Sequence, residues 1–156
     1  LVRSLNVNMK DINAIVDSME PFEGAKEFVD WVRDNFQLTI VSDSFYELAW
    51  PLIRKLGTPS INCHYLDIQG DELMGYKLRQ SNNKQKVVQA LKEMQFTVFA
   101  SGDSYNDIQM LNEADYGVFF QAPKHIKDEF PDIDVVNSHT ELKELFISKS
   151  QFAERG

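Results

Sequence analysis

Residues 97–111 read Thr-Val-Phe-Ala-Ser-Gly-Asp-Ser-Tyr-Asn-Asp-Ile-Gln-Met-Leu. Thr97 to Ala100 form a short apolar run of the kind that makes a buried parallel strand. Ser101, Gly102, Asp103 and Ser104 interrupt it, and a helical pattern follows through Ile108, Met110 and Leu111. The order strand, acidic glycine turn, helix start sets Asp103 and Asp107 at the carboxyl end of a strand. In open α/β sheets that edge is where ligands bind. Two carboxylates with a hydroxyl and an amide between them suit a hard cation such as Mg²⁺, which takes oxygen ligands and often holds a substrate phosphate. Helix capping by Asp103 or Ser104 is the alternative reading.

The same arrangement occurs earlier in the chain. Gln37 to Val41 is a β-branched, apolar strand, Ser42-Asp43-Ser44 a polar turn, and Phe45 to Lys55 a helix. Backbone N–H groups at a helix start with a hydroxyl beside them make a phosphate cradle, with capping again the competing reading. Between the two turns, Asn62–Ile68 and Leu73–Leu78 read as a hairpin around Gln69-Gly70-Asp71-Glu72. Ser81-Asn82-Asn83 then opens a helix carrying Lys84 in its first turn. A cation there is unfavourable for the helix dipole and gains meaning only against an anion such as phosphate.

Upstream, residues 1 to 20 read as helical with Leu5, Ile12, Ile15, Val16 and Met19 on one face, Asp11 opening the helix at Ile12. Ala25 to Asn35 is an amphipathic helix. Downstream, Tyr116 to Phe120 is a third core strand in which Gly117 marks a close approach. A short helix runs on to Phe130, Asp134 to Val136 is a last edge strand, and Thr140 to Phe146 a closing helix. Strand and helix alternate, which predicts a parallel α/β sheet with right-handed crossovers.

The bulk composition narrows the function. A chain of 156 residues fits one ordinary domain, able to bury about 68–70% of its unfolded surface. Apolar residues make up 43% and no run approaches a membrane span, for which about 20 are needed. A net charge of −8 argues against a nucleic-acid partner. It leaves a small anionic substrate open, because screening over about 8 Å gives the local site control of binding. Cys63 stands alone, without disulfide or zinc spacing, and a reducing cytoplasm fits best. The chain opens on Leu1 rather than Met, inside a helical stretch, so a fragment is expected.

Ser42, Lys84 and Gly102-Asp103 with Asp107, in that order, resemble motifs II to IV of the haloacid dehalogenase-like phosphatases. The last motif, G-D-x-x-N-D, resembles the phosphoserine phosphatase branch. PFEGAKEFVDWVR (21–33), SDSFYELAWPL (42–52), GYKLRQ (75–80), GDSYNDIQML (102–111) and QAPKHIKDEFP (121–131) are similar to its bifunctional phosphoserine phosphatase/homoserine phosphotransferase members. The similarity runs from about Asp11 to Phe146.

The resemblance implies a Rossmann-like three-layer αβα parallel sheet and an Mg²⁺-dependent transfer of phosphoryl from phosphoserine to water or homoserine. It implies that Ser42, with backbone amides near Asp43 and Ser44, bonds the phosphoryl group and that Lys84 pairs with it. Asp103 would ligate Mg²⁺, Asp107 would hold that ligand set from behind, and Asn106 would contact substrate or phosphate. Phosphoryl transfer is mostly positioning and charge neutralisation, which is what such a set supplies.

The family's nucleophile, the first Asp of a D-x-[DE]-G motif on the first strand, has no counterpart in this sequence. That strand lies at the middle of the family's sheet, so roughly 45–50 upstream residues of ordinary domain content are expected to belong to the parent. Residues 1–20 would then be the end of a helical cap, 21–148 the core lacking its first strand, and 149–156 a frayed tail. Arg3 would be a candidate for the substrate's carboxylate, a solvated surface arginine being the alternative. The competing classes are a non-catalytic phosphate- or metal-binding module of receiver type, an inactive fragment, and the phosphorylation domain of a cation pump.

Overall fold

The computed structural model describes residues 8–150. The chain divides into two compact units, Leu1–Asn83 and Lys84–Gly156.

In the first unit, α1 (Met9–Ser18) is capped by Asn8, whose side chain accepts from Lys10 N at 2.9 Å. The helix therefore opens three residues before the expected Ile12. The hairpin settles its start, because Met9 N donates to Asp71 O at 3.1 Å and Asn8 bridges Glu72. Its other end is closed by Lys55 Nζ, which donates to Asp17 O at 2.9 Å and Met19 O at 2.6 Å. Carbonyls that a helix leaves unpaired at its C-terminus attract such a cation. Val16 is buried while Ile15 and Met19, expected beside it, are exposed. α2 (Ala25–Asn35) has the bounds its periodicity predicts, with Trp31 packed between Phe28 and Phe36.

β1 (Thr39–Phe45) leads into α3 (Tyr46–Lys55), and β2 (Ser60–Gln69) and β3 (Glu72–Lys77) follow. The sheet order is β1-β2-β3, with β1 parallel to β2 and β3 antiparallel to it. The hairpin has the expected turn, where Gly70 adopts a left-handed φ of 62° at the position a two-residue connection requires. The antiparallel β2–β3 pair is the hairpin expected between the two turns, and the β1–β2 pair is parallel as alternation predicts.

The second unit holds α4 (Asn83–Glu93, all but its first residue), β4 (Phe99–Gly102), α5 (Ile108–Glu113), β5 (Tyr116–Phe120), α6 (Lys124–Glu129), β6 (Asp134–Val136) and α7 (His139–Lys149). Its three strands are parallel in the order β4-β5-β6. β4 begins two residues later than the apolar run because the Asp115 carboxylate takes the Val98 N–H at 2.8 Å. The core is Val88, Val98, Ala100, Met110, Leu111, Phe119, Ala122 and Ile126. Gly117 is the close approach its sequence marks, since a Cβ there would stand 2.2 Å from the Leu111 carbonyl oxygen. Ser138 caps α7, accepting from Glu141 N, and Glu141 reaches back to Asn137 N at 2.8 Å. Among the described residues β1 is bonded only to β2, and β4 only to β5, so each keeps one unpaired edge.

Candidate active site

The acidic turn leaves β4 at Gly102 and makes a single 3₁₀ turn, Tyr105–Asp107, before α5. Asp107 folds back over the turn it terminates. Its Oδ2 accepts from Asp103 N at 2.9 Å, Ser104 N at 3.0 Å and Ser104 Oγ at 3.0 Å. The space for that carboxylate exists because residue 102 is glycine, where a Cβ would fall 2.4 Å from both Cβ and Cγ of Asp107. Real Cβ atoms do not approach so closely, so glycine at 102 with aspartate at 107 is a packing requirement as well as a motif.

Lys84 completes the arrangement. From the first turn of α4 its ammonium reaches Asp107 Oδ1 at 2.7 Å, with side chains 15% and 6% exposed. Burial pushes the Asp107 carboxyl up, while the Lys84 ammonium and the N–H groups of Ser104 and Asp103 pull it down. The cations and donors win, and the group lies below the ordinary carboxylate value. This answers the dipole penalty on Lys84: an anion on a facing loop offsets the unfavourable helix position.

Both oxygens of Asp107 are occupied, so this carboxylate orders the turn rather than offering a free ligand. Asp103, by contrast, is exposed, as is Asn106. Tyr105 donates to Glu129 Oε2 at 2.6 Å and ties the turn to α6. Among the described residues no three His, Cys, Asp or Glu side chains form a metal cage. A donor set of one open carboxylate fits Mg²⁺, which is commonly held by one or two carboxylates together with waters and substrate phosphate.

The hydroxyl turn in the first unit is built differently from its sequence reading. β1 does not stop at Val41. Val41 faces Asn62 and Phe45 faces His64, so β1 spends two extra residues against β2. Ser42-Asp43-Ser44 is a bulge in a parallel ladder, a device that recurs next to active sites. Ser42 Oγ accepts from Ser44 N at 3.1 Å, which leaves the Ser42 proton to donate outward. Cys63 is fully buried, and burial pushes its thiol up to about 11, which removes it as a thiolate nucleophile.

A family model for haloacid dehalogenase-like hydrolases matches residues 3–115. The chain belongs to that family. Phosphoserine phosphatase ThrH of Pseudomonas aeruginosa is 44% identical over 145 residues, covering 92% of this hydrolase and 71% of that protein. A phosphoserine phosphatase of Pseudomonas syringae pv. tomato is 45% identical over 145 residues, covering 92% of this chain and 61% of its own length. Among solved structures, a phospho-aspartyl intermediate analogue of phosphoserine phosphatase superposes with a TM-score of 0.73 at 20% identity, covering 90% of this chain and 71% of that one. The phosphoserine phosphatase from T. onnurineus gives 0.68 at 22% identity, covering 90% and 66%. These likenesses establish the fold.

Within this haloacid dehalogenase-like hydrolase, the residues expected from sequence fall into two local sets. Lys84, Asp103, Asn106 and Asp107 belong to the second unit, where the turn joins three of them. Ser42, Asp43 and Ser44 share the bulge of the first. Arg3 lies outside the described residues. Among the described residues the buried polar side chains are Asp107, His64 at 5% exposure and Asn83 at 2%; the sequence reading assigns His64 no role and Asn83 only a place in the turn that opens α4. Asn83 adjoins Lys84 and donates to Asn62 O at 3.4 Å. Nothing in the period-two pattern of β2 distinguishes an inward histidine from an inward apolar residue.

Proposed function

We propose that the chain carries the phosphate-binding bulge, lysine and acidic turn of an Mg²⁺-dependent phosphoserine phosphatase or phosphotransferase. The observation that supports it best is the buried Lys84–Asp107 pair on the Gly102–Asp107 turn. It is a cation held in a fixed place against the turn that carries the exposed Asp103, and positioned positive charge is what a transferring phosphoryl group requires. The relatives' names point to phosphoserine as donor. Water accepts the phosphoryl group in hydrolysis, and homoserine accepts it in transfer.

In this reading an aspartate upstream of these residues attacks phosphorus, and the bond from phosphorus to the serine oxygen breaks as the new one forms. The leaving oxygen takes up a proton. Water or a homoserine hydroxyl then attacks phosphorus, loses its proton and frees the aspartate. Ser42 donates its hydroxyl proton to a phosphoryl oxygen, the amides of the bulge add donors, and Lys84 neutralises charge on the equatorial oxygens. Asn106 contacts substrate or phosphate. Asp103 would hold Mg²⁺ and Asp107 would keep Asp103's loop in place; bound there, the ion supplies Lewis-acid charge on the phosphoryl oxygens. In the same reading 21–148 is the core lacking its first strand and the setting is the cytoplasm. Of the cap end assigned to 1–20 and the tail assigned to 149–156, residues 1–7 and 151–156 lie outside the described residues, and α7 extends to Lys149.

The test is phosphate release from phosphoserine, with and without Mg²⁺, by this chain and by a version carrying its upstream residues. Mg²⁺-dependent release by the longer protein alone is the expected result. Release by neither, with phosphate still bound, would favour a non-catalytic phosphate-binding module.

A further inference from the structure

We infer that His64 is a positioning residue for the phosphate-binding bulge, bracing Asp43 from within the sheet. The inference rests on the reading of Ser42–Ser44 as a phosphate site. His64 stands at the point on β2 where the ladder with β1 resumes, opposite Phe45. Only 5% of it is exposed. A polar ring is costly to bury unless its nitrogens are engaged. Nδ1 accepts the Arg79 N–H at 3.1 Å. This acceptor role places the proton of the neutral ring on Nε2. Nε2 faces Asp43 Oδ1 at 3.9 Å, an electrostatic contact longer than a hydrogen bond. Phe45 packs against the same ring, with centroids 6.2 Å apart.

The imidazole therefore reaches from β2 to the middle of the bulge while its other nitrogen is fixed to the segment after β3. Arg79 is itself anchored, its Nε donating to Cys63 O at 3.1 Å and its guanidinium to the hydroxyls of Tyr46 and Tyr65. This bulge spends two more residues than β2 does, so the ladder alone does not fix it and a side-chain constraint adds to the Ser44 N–H bond to Ser42 Oγ. His64 supplies that constraint through Asp43, so its effect is on how well the flanking donors fit a phosphate.

Two substitutions separate this role from packing. His64→Asn keeps an acceptor near Nδ1 for Arg79 N–H and removes the donor towards Asp43. His64→Gln restores an amide N–H near the place of Nε2. On the full-length protein, inorganic phosphate binding by calorimetry and phosphoserine kinetics are measured beside thermal unfolding. His64→Asn is expected to lower the melting temperature through lost packing on Phe45, as His64→Gln does. Beyond that shared loss it should weaken phosphate binding and raise KM severalfold at nearly unchanged kcat. His64→Gln should recover most of the binding loss, and in an Asp43→Ala background His64→Asn should add nothing to it. Equal binding losses in both His64 variants, or additive binding losses with Asp43→Ala, would overturn the inference. Wild-type protein that binds phosphate but hydrolyses no phosphoserine would refute the proposed function and leave the bracing role to the binding data. Wild-type protein that binds no phosphate would refute both.

Discussion

Asp107 is the residue on which the acidic turn depends, and its loss should show in stability as well as in activity. Lys84→Met leaves a buried carboxylate without its cation, which typically costs about 3–5 kcal/mol for a fully buried pair. With Lys84 15% exposed, a loss of about 2–3 kcal/mol is expected in a denaturant titration. Phosphoserine turnover should fall by at least about a hundredfold, as when one stabilising group is removed from a transition state. The pH dependence follows from the lowered carboxyl of Asp107. Unfolded chain takes up a proton more readily than folded chain does, so the stability that Asp107 contributes is complete above the unfolded value. It is lost as pH falls from about 4 through the lower folded value. Denaturant midpoints between pH 7 and 3 should therefore drop in wild type and drop less in Asp107→Asn.

At the scale of elements, the close approaches are where single atoms decide. Gly117→Ala puts a Cβ 2.2 Å from the Leu111 carbonyl oxygen, which is backbone and has little room to give. Separating α5 from β5 should cost about 1–3 kcal/mol, the usual penalty of overpacking, read as a lower melting temperature. Gly102→Ala acts on the site itself, where the added carbon meets Asp107. It should reduce turnover more than the stability loss explains, because the Asp103 loop loses the carboxylate that shapes it.

Elements were legible where local signals agreed. α2, β5 and β6 have the ends that their hydrophobic runs and punctuation imply. β4 slid by two residues because a side chain fourteen residues after Ser101 took a ladder position, and no local pattern reports such a contact. The bulge in β1 was invisible for a related reason: Ser-Asp-Ser after an apolar run reads as a turn, and only the partner strand shows the ladder resuming at Phe45. The acidic turn was readable because its glycine, carboxylates and helix start are adjacent in sequence. His64 was not, since its role comes from two segments distant in the chain.

At the scale of the molecule, 156 residues carry the Ser42–Ser44 bulge, the lysine and the acidic turn, and they span 71% and 61% of the two bacterial relatives they match. A D-x-[DE]-G strand is not among them. Under the proposed function these residues hold and neutralise the phosphoryl group, and an aspartate outside them accepts it. The most direct test is to quench the full-length protein during turnover of phosphoserine labelled in the phosphoryl group and map the labelled peptide. The expected result is a hydroxylamine-labile acyl phosphate on an aspartate upstream of Leu1, lost when that aspartate becomes asparagine. Label on Ser42, on Asp103 or anywhere else within residues 1–156 would contradict it.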